Sequence, residues 1–261
     1  MNIIVCIKQV PDTVEIKINP ETNTLIREGV ESIINPFDMY AIEEGLRIKE
    51  KFDGKVTVLS MGPPQVKSAL REALALGVDD AILLSDEKFA GADTLATSYT
   101  LTAAIKKIGN FDIIFFGKQA IDGDTAQVGP GVATLLEIPQ IVFVRKIESI
   151  QNGKILAERI TEDGYDVIES TLPIAISVVK EINEPRLPSL RGKMSAKRAE
   201  ITIWNFDDLN LDEKFVGLNG SPTQVERIFT PKLDKHTEKW NDSPEEMAKK
   251  LAEKMQRFIL K

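Results

Sequence analysis

Short apolar segments alternate with helical patterns through the first two-thirds of this 261-residue chain, and this alternation limits the fold more than any other feature. Each short segment is rich in β-branched residues or Phe, as strands buried on both faces are. Strands are predicted at Ile3–Ile7, Val56–Ser60, Ala81–Leu84, Ile113–Phe116, Ile141–Val144 and Ile174–Val179. Helices are predicted at Phe37–Lys51, Pro64–Leu76, Thr94–Ile108 and Thr125–Leu136. The alternation predicts an α/β fold with a Rossmann-like, doubly wound, mostly parallel sheet.

In such a sheet, ligands bind where the strands end at their carboxyl side. The loops expected there are Lys8–Thr13, Ser60–Pro63 and Gly117–Asp124. The third lies in FDIIFFGKQAIDGDTAQVGP, in which a strand is followed by a loop of small residues and then by a helix start with Asp124 or Thr125 as N-cap. A helix N-terminus has unpaired N–H groups and attracts phosphates. The segment therefore predicts a nucleotide site, although it matches neither the Walker motif nor GxGxxG.

Composition excludes several classes of protein. Cys6 is the only cysteine and His236 the only histidine, so no intramolecular disulfide and no Cys/His zinc site is expected. His236 lies in a polar run and is expected to be a solvated surface residue. Because the chain has one cysteine and one histidine, few side chains are available for nucleophilic or acid–base catalysis. No catalytic residue and no metal site is therefore predicted, and a bound cofactor is expected to carry the chemistry.

Charge and hydropathy narrow the partners and the location. The net charge of −7 argues against a general nucleic-acid binder. No apolar run reaches the ~20 residues that span a bilayer. The N-terminus, MNIIVCIKQV, begins a strand and lacks the features of a signal peptide, so a cytoplasmic protein is expected.

The second part of the chain has a different pattern. Lys154–Ile160 and Tyr165–Glu169 alternate around Asp163-Gly164, which predicts a hairpin. After Glu181, prolines and polar stretches predict an extended arm that ends in a helix at Pro244–Lys261. The apolar stripe of that helix is expected to pack on its own domain or on a partner subunit, and consists of Met247, Leu251, Met255 and Phe258. A nucleotide-binding domain is predicted over residues 1–182, including the hairpin at about 154–170.

The string GKQAIDGDTAQVGP resembles the nucleotide-binding signature of the small (beta) subunit of electron-transfer flavoproteins. Further segments resemble the same family in the same order, and they are IIVCIKQVPDT (Ile3–Thr13), REGVESIINPFDMYAIEEGLRIKE (Arg27–Glu50), LSMGPPQ (Leu59–Gln65), ALALGVDDAILL (Ala73–Leu84) and NEPRLPSLRGKMSAKR (Asn183–Arg198). The resemblance covers about the first 200 residues closely and the arm loosely.

The resemblance implies a Rossmann-like subunit that pairs with a larger alpha subunit, which carries a redox-active FAD. The beta site holds AMP in most members, and FAD in a group that bifurcates electrons from NADH. The family's nucleotide contacts fall here on Cys6, Asn35, Pro36, Phe37, Asp38, Met61, Gly117, Lys118, Gln119, Ala120, Ile121, Asp122, Gly123, Asp124, Thr125, Ala126, Gln127 and Val128. Cys6 is expected to contribute backbone and packing contacts, and Asn35 and Pro36 also match an N-cap and a first helical residue.

Several features favour the bifurcating group. Gly123 and Ala126 replace bulkier residues of the AMP-binding members and leave space for FAD. FAGADTLAT and KQVPDT resemble bifurcating and nitrogen-fixation-linked members. Asp93, Thr94 and Thr97 are therefore hypothesised to line the approach to a flavin or to NADH as the substrate. The alternative is that Asp93 only caps the following helix.

Residues 183–200 resemble the loop by which the family recognises partner dehydrogenases. Leu190 is expected to be a lone apolar anchor, with Arg191 beside it in a positive rim. Between Pro185 and Ala199 there is no acidic residue, and the basic residues are Arg186, Arg191, Lys193, Lys197 and Arg198. The alternative is a solvated basic loop. Residues 201–261 are expected to form the C-terminal arm and terminal helix, which pack on the alpha subunit.

The resemblance therefore implies a beta subunit that passes electrons between NADH, a flavin-dependent dehydrogenase and ferredoxin or flavodoxin. The dehydrogenase is expected to be of the acyl-CoA or 2-hydroxy-acid type. One alternative is a beta subunit that holds AMP and carries electrons from acyl-CoA dehydrogenases. Another is a nucleotide-binding or ATP-using α/β protein without a redox role, for which only Lys118 is a nearby basic phosphate partner.

Overall fold

A computed structural model describes residues 1–12, 32–226 and 237–259, with side chains in the last helix described up to residue 256. The chain divides into two compact units, residues 1–226 and 227–261. Thr13 and His236, and part of the segment Arg27–Glu50, lie outside the described residues.

The described part of the first unit contains two sheets and five helices. The strands are β1 (Asn2–Cys6), β2 (Gln9–Pro11), β3 (Ser32–Ile34), β4 (Lys55–Met61), β5 (Asp80–Leu84), β6 (Ile113–Gly117), β7 (Gln140–Gln151), β8 (Lys154–Ile160), β9 (Tyr165–Thr171), β10 (Ile174–Val178) and β11 (Thr202–Trp204). The helices are α1 (Pro36–Phe52), α2 (Lys67–Leu76), α3 (Thr94–Ile108), α4 (Val128–Leu136) and α5 (Leu190–Arg198).

The main sheet is mostly parallel, as the alternating pattern predicts. Its order in the described residues is β11-β5-β4-β1-β6-β10-β7-β8-β9, and β11 through β7 run parallel. Strands β8 and β9 are antiparallel and form the predicted hairpin, closed where the Thr161 N–H donates to the Gly164 carbonyl at 2.9 Å. The predicted doubly wound α/β class is confirmed.

Successive strand residues face opposite layers of helices, which explains the continuous apolar runs of the inner strands. In β1, Ile3 and Val5 pack with buried residues of α1 and α2, whereas Ile4 and Cys6 pack with α3 and α4. All four side chains are at least 94% buried. Helices thus cover both faces of the sheet at its inner strands, and a ligand can reach these strands only at their ends.

The strand order reverses at β1. This strand pairs with β4 on one side and β6 on the other, and Cys6 lies opposite both Leu59 and Phe116. Such a reversal opens a crevice at the carboxyl ends of the two diverging strands. The loops after β1 and β6 therefore meet there, together with the start of α1.

The structure differs from the prediction at residues 183–200 and at the start of α2. Residues 183–200 are not simply a loop, because they contain α5. Ser189 is the N-cap residue of this helix, and its side chain accepts a hydrogen bond from the Gly192 N–H. Gly192 lies against the Ala75 carbonyl of α2, and Ala196 is buried, so this helix packs on α2. The helix predicted from Pro64 begins as a 3₁₀ turn, and α2 starts only at Lys67.

Part of the expected arm joins the sheet, because β11 pairs with β5. In the second unit, α6 (Pro244–Ile259) confirms the predicted terminal helix. Leu251 and Met255 of its stripe are each 52% exposed, and the Phe258 side chain lies outside the described residues. No helix in the described part of the chain combines the length and apolar character needed to cross a membrane.

Candidate functional site

A buried asparagine connects the start of α1 to the loop after β6. The Asn35 side chain is fully buried and donates to Asp38 Oδ1 at 2.9 Å and to the Gln119 carbonyl at 2.8 Å. Its Oδ1 accepts from the Ile121 N–H at 3.1 Å. Asn35 does not cap α1 through its side chain, in contrast to the sequence-based expectation, because these bonds occupy the amide. Pro36 is the first helical residue, as predicted.

Asp38 extends the same network to the loop after β1. Its Oδ2 accepts from the Lys8 N–H at 2.7 Å, and the Gly117 N–H also donates to the carboxylate. Burial raises the pKa of Asp38 to about 7, although the Asn35, Lys8 and Gly117 donors work to lower it. The buried pair of Asn35 and Asp38, called here the polar hub, thus fixes both loops that flank the crevice.

Gly117 is required where β6 passes the start of α1. A Cβ at this residue would collide with the Asp38 carboxylate and lie 2.6 Å from the Phe37 carbonyl carbon and 2.8 Å from the Asp38 nitrogen. Two backbone segments therefore approach each other as closely as only glycine permits. This contact brings predicted site residues from the two segments together.

The loop after Gly117 is held by its own polar side chains. Lys8 Nζ lies 2.7 Å from both carboxylate oxygens of Asp122, and Gln119 Nε2 donates to Asp124 Oδ1 at 2.5 Å. Asp124 and Ala126 have positive φ angles of 55° and 54°. An L-residue costs roughly 1 kcal/mol or more in this conformation, so the loop retains strain beside the crevice.

Helix α4 begins at Val128, three residues later than predicted. Asp124 does not cap the helix because its carboxylate bonds Gln119, and its positive φ turns the chain away from the helical path. Gln127 is the N-cap residue, and its side chain makes no capping bond. The expected caps at Asp124 and Thr125 are therefore wrong, and the first turn of α4 has no side-chain acceptor from its N-cap.

Cys6 and Met61 lie at the ends of β1 and β4, next to the crevice. Cys6 is buried, and its burial, followed by the nearby Asp38 charge, raises the pKa of its thiol far above the ordinary range. A thiol held neutral in this way is a packing group rather than a nucleophile. The structure thus supports the expected packing role of Cys6.

The described residues of this edge fit the phosphate-bearing part of a nucleotide. The first turn of α4 offers N–H groups, and the side chains of Thr125 and Gln127 are exposed beside it. A Cβ at Gly123 would meet no heavy atom within 4 Å, so packing of the chain does not itself require glycine there. The space at Gly123 is therefore available to a ligand.

Asp93 is the N-cap residue of α3. Its Oδ1 accepts from the Leu95 and Ala96 N–H groups at 3.0 Å each. Its Oδ2 accepts from the Thr223 N–H at 3.1 Å and the Thr223 hydroxyl at 2.7 Å. Burial works to raise the pKa of Asp93, but these donors hold it below its ordinary range. Both carboxylate oxygens thus serve the fold.

The N-terminus of α3 lies beside the start of α4. Ser98 Oγ donates to the Val128 carbonyl at 3.3 Å, and a Cβ on Gly131 would lie 2.5 Å from the same hydroxyl. Thr94 and Thr97 belong to this end of α3 and are partly exposed. Thr94 and Thr97 therefore neighbour the start of α4, and they are not part of the loop that follows Gly117.

The exposed apolar residues in and just before α5 are more than the lone leucine that the sequence predicts. Leu190 is 78% exposed, and it is accompanied by Leu187 at 90% and Met194 at 57%. Leu190 and Met194 are four residues apart and share a helix face. These three side chains, called here the apolar ridge, lie among the exposed Arg191 and Lys193.

Arg186 is not part of the positive rim. Its guanidinium binds the Glu43 carboxylate at 2.8 Å and the Glu50 carboxylate at 2.5 Å. The sequence could not show this pairing because the acidic partners lie about 140 residues earlier, in α1. The remaining basic residues of the segment, Arg191, Lys193, Lys197 and Arg198, are exposed.

Two residues near the crevice were missed by the motif-based prediction. The motifs mark Lys8 only as the first residue of a loop, although its ammonium binds Asp122 across the crevice. Phe143 in β7 has a positive φ of 59°, which is unusual for a bulky residue. Its ring centroid lies 5.7 Å from Lys118 Nζ. No local sequence signal marks either contact, since both join residues distant in the chain.

A separate groove of about 460 Å³ lies away from the crevice. Its walls come from the C-terminal half of α1 and from β7, and include Glu44, Arg47, Glu50, Ile147 and Ile150. Charged side chains dominate the α1 wall, and none of the predicted site residues line it. The crevice whose loops the polar hub holds, rather than this groove, is therefore the candidate functional site.

Comparison with known proteins gives consistent matches along the chain. A sequence model of the electron transfer flavoprotein domain matches residues 22–209. The chain is 52% identical to the electron transfer flavoprotein subunit beta of Thermoanaerobacterium thermosaccharolyticum, over 98% of each protein. It is 53% identical to the caffeyl-CoA reductase-Etf complex subunit CarD of Acetobacterium woodii, over 88% of each. It is 46% identical to protein FixA of Azotobacter vinelandii, over 97% of this chain and 92% of FixA.

Proposed function

This chain belongs to the electron transfer flavoprotein family as a beta subunit, and from that premise we propose that its Gly117–Val128 site holds FAD and that it works with an alpha subunit in electron bifurcation. The two-electron donor is NADH. One electron goes to a flavin-dependent dehydrogenase and the other to ferredoxin or flavodoxin. The proposed location is the cytoplasm.

The close approach at Gly117 is the observation that carries the nucleotide site. Because Gly117 lies directly on the backbone at Phe37 and Asp38, the chain after it runs along the crevice at the strand reversal. The uncapped first turn of α4 follows, with N–H groups that suit a pyrophosphate. The residues proposed to contact the nucleotide remain those expected from the sequence.

FAD is favoured over AMP because of the free space at Gly123 and the small side chain at Ala126. A residue with a long side chain at either position would occupy space that the larger ligand needs. Similarity to CarD, named as a subunit of a caffeyl-CoA reductase-Etf complex, supports a partner enzyme of the acyl-CoA type.

The residues of this chain position the bound nucleotide and do not themselves react. When bound, FAD supplies the redox chemistry by taking two electrons from NADH and releasing them singly. Asn35 and Asp38 hold the loops that follow β1 and β6, and the ion pair of Lys8 with Asp122 joins them at the surface. No side chain of the site needs to form a covalent bond.

Of the three residues expected to line the approach of NADH, Thr94 and Thr97 suit this role better than Asp93. Asp93 already accepts four hydrogen bonds from the chain, so its carboxylate is an unsuitable ligand group. We retain Thr94 and Thr97 as the proposed lining residues, because they are partly exposed and lie at the helix end next to α4.

The apolar ridge is proposed to dock on the dehydrogenase. Its three side chains are exposed and close in sequence to exposed basic residues, and interface anchors with electrostatic steering have this composition. Leu190 is the proposed anchor and Arg191 its neighbour in the rim. The acyl-CoA type of dehydrogenase is the proposed partner, with the 2-hydroxy-acid type as the alternative.

Nucleotide analysis of the purified complex tests the proposal. The chain is co-expressed with its alpha subunit, and the nucleotides released on denaturation are separated and counted. We expect two FAD per heterodimer, with reduction of both by NADH under anaerobic conditions. One FAD and one AMP would instead support the non-bifurcating alternative. Complex that contains neither FAD nor AMP in the beta site would contradict the proposed site itself.

A further inference from the structure

We propose that Phe143, in β7, is a positioning residue that holds the Lys118 ammonium for the phosphate of the bound nucleotide. This inference rests on the proposed function, because it assumes a nucleotide in the Gly117–Val128 site. Phe143 lies outside every motif that identified that site. The proposal follows from the juxtaposition of a β-bulge, a strained aromatic residue and a lysine at the same sheet edge.

The bulge lies in β7, where it pairs with β10. Ile176 lies opposite Ile141 and Val178 opposite Val144, so Val142 and Phe143 together oppose the single residue Ser177. The Phe143 N–H donates to the Ser177 hydroxyl at 3.1 Å, and Ser177 is only 7% exposed. A buried side chain thus satisfies the donor that the bulge removes from the regular ladder.

The backbone at Phe143 is strained. Its φ of 59° is left-handed, and a bulky side chain there is a genuine outlier. Such conformations cost roughly 1–3 kcal/mol and occur where a site needs a particular side-chain direction. Bulges next to functional sites redirect side chains in this way.

The redirected ring contacts Lys118. Lys118 Nζ lies 5.7 Å from the Phe143 ring centroid and 5.9 Å from the Phe37 ring centroid, within the ~6 Å range of cation–π contacts. Phe37 belongs to the start of α1, and Val178 of β10 lies opposite both Gly117 and Val144. The two rings therefore approach the lysine from different elements at the same edge.

The charge of Lys118 is not neutralised by its loop. Among residues 117–128 the charged side chains are Lys118, Asp122 and Asp124. Asp122 binds Lys8 and Asp124 binds Gln119, and Lys118 makes no ion pair with a described residue. Aromatic rings orient an ammonium while leaving its charge available to an anion. A phosphate is the anion that this site is proposed to hold.

A purely structural role would have a different signature. The bulge also alters the course of β7, so a substitution that disturbed it would weaken every ligand of the site alike. A role through Lys118 concerns only the phosphate. Comparing ADP with adenosine, which lacks phosphates, separates the two roles.

The test measures both affinities by competition in the nucleotide-depleted heterodimer. We expect Phe143→Leu to weaken ADP binding about five-fold, with adenosine binding unchanged, and Phe143→Tyr to retain wild-type affinity for both. Lys118→Gln should weaken ADP binding about ten-fold or more, and adding Phe143→Leu to it should have no further effect. Phe143→Met is the second variant without a ring, should the leucine variant fail to fold.

Equal loss of ADP and adenosine affinity in Phe143→Leu would overturn the inference, as would additive losses in the double variant. If the wild-type heterodimer binds neither ligand, the proposed nucleotide site fails and takes the inference with it. If the wild-type heterodimer binds both ligands, but Phe143→Leu does not weaken ADP binding more than adenosine binding, only the role of Phe143 is overturned.

Discussion

The polar hub and the apolar ridge differ in how their residues relate to the fold. At the hub, Asn35 and Asp38 are buried, and their side chains are occupied by other parts of the chain. At the ridge, Leu187 and Leu190 are 90% and 78% exposed, while Gly192 and Ala196 on the same segment make the contacts with α2.

This difference determines whether a mutation can change partner binding without changing stability or nucleotide retention. A change at the hub alters the backbone that forms the nucleotide site, so stability and ligand retention should change together. A change at the ridge removes surface that the folded chain does not use, so partner binding should change alone. The following variants test this contrast, in decreasing order of their expected effect on the free energy of unfolding.

Gly117→Ala should have the largest effect. The added methyl group collides with the Asp38 carboxylate and with the backbone at Phe37, and neither can move without breaking the hub. We expect a loss of roughly 3 kcal/mol or more in the free energy of unfolding, together with loss of bound nucleotide. Denaturant unfolding and nucleotide content are the measurements. Gly164→Ala is the matched control, since its Cβ would also meet no atom within 4 Å and it lies in the turn between β8 and β9, outside the nucleotide site. A stable, nucleotide-loaded Gly117→Ala variant would contradict the close approach.

Asp38→Asn should cost about 2 kcal/mol at neutral pH, because the amide cannot accept from all the donors that face the carboxylate. It should also change the pH dependence of stability. The pKa of Asp38 is about 7 in the folded state, against an ordinary 3.8. The folded state therefore binds the proton more tightly, and this group's contribution to stability falls as pH rises from about 4 through 7.

Unfolding curves collected across that pH range measure the slope. The wild-type chain should lose stability as the Asp38 proton is released, whereas Asp38→Asn should lack this part of the slope. Parallel pH profiles for the two proteins would exclude titration of Asp38 in this range.

Asp93→Ala should cost about 1 kcal/mol, the usual value for a lost N-cap. The variant also removes the acceptor of the Thr223 hydroxyl, so hydrogen exchange near Thr223 should become faster. Nucleotide content should stay unchanged, because the carboxylate is proposed to serve the fold alone. Loss of NADH reduction with normal stability would instead restore the original hypothesis for Asp93. Thr97→Ala tests in the same assay whether Thr97 lines the approach of NADH.

Leu190→Ala should have the smallest effect on stability, within about 0.5 kcal/mol, because the side chain is 78% exposed. We expect electron transfer to the partner dehydrogenase to weaken, with nucleotide content unchanged. Val167→Ala is the control, since Val167 is an exposed apolar residue of β9 at 57%. Unchanged transfer kinetics in Leu190→Ala, or an equal loss in Val167→Ala, would contradict docking through the ridge.

Local patterns predicted the regular elements well. Alternation of apolar runs with helical segments was sufficient for the parallel sheet, and the Asp163-Gly164 turn for the hairpin. The same reasoning placed the start of α4 too early, because it assumed that Asp124 was free to cap. A capping residue can be recognised from sequence, but not whether another side chain already occupies it.

The basic segment shows the same limit. The sequence shows its five basic residues, yet Arg186 is paired with Glu43 and Glu50 of α1. Its helix depends on the Ser189 cap and on the packing of Gly192 on α2, and the second of these is a contact between distant residues that the sequence does not show. Two residues of the apolar ridge depend on this helix, since helical spacing places Leu190 and Met194 on one face.

The sequence by itself determined the fold class, the family and the loops that meet at the carboxyl edge, because strand composition and short-range motifs are local properties. Only the tertiary structure decided how those loops are held. The bonds from Asn35 to Gln119 and from Lys8 to Asp122, and the contact of Phe143 with Lys118, join residues that are distant in the chain. Such contacts depend on the strand order, which brings the residues together only once the sheet has formed.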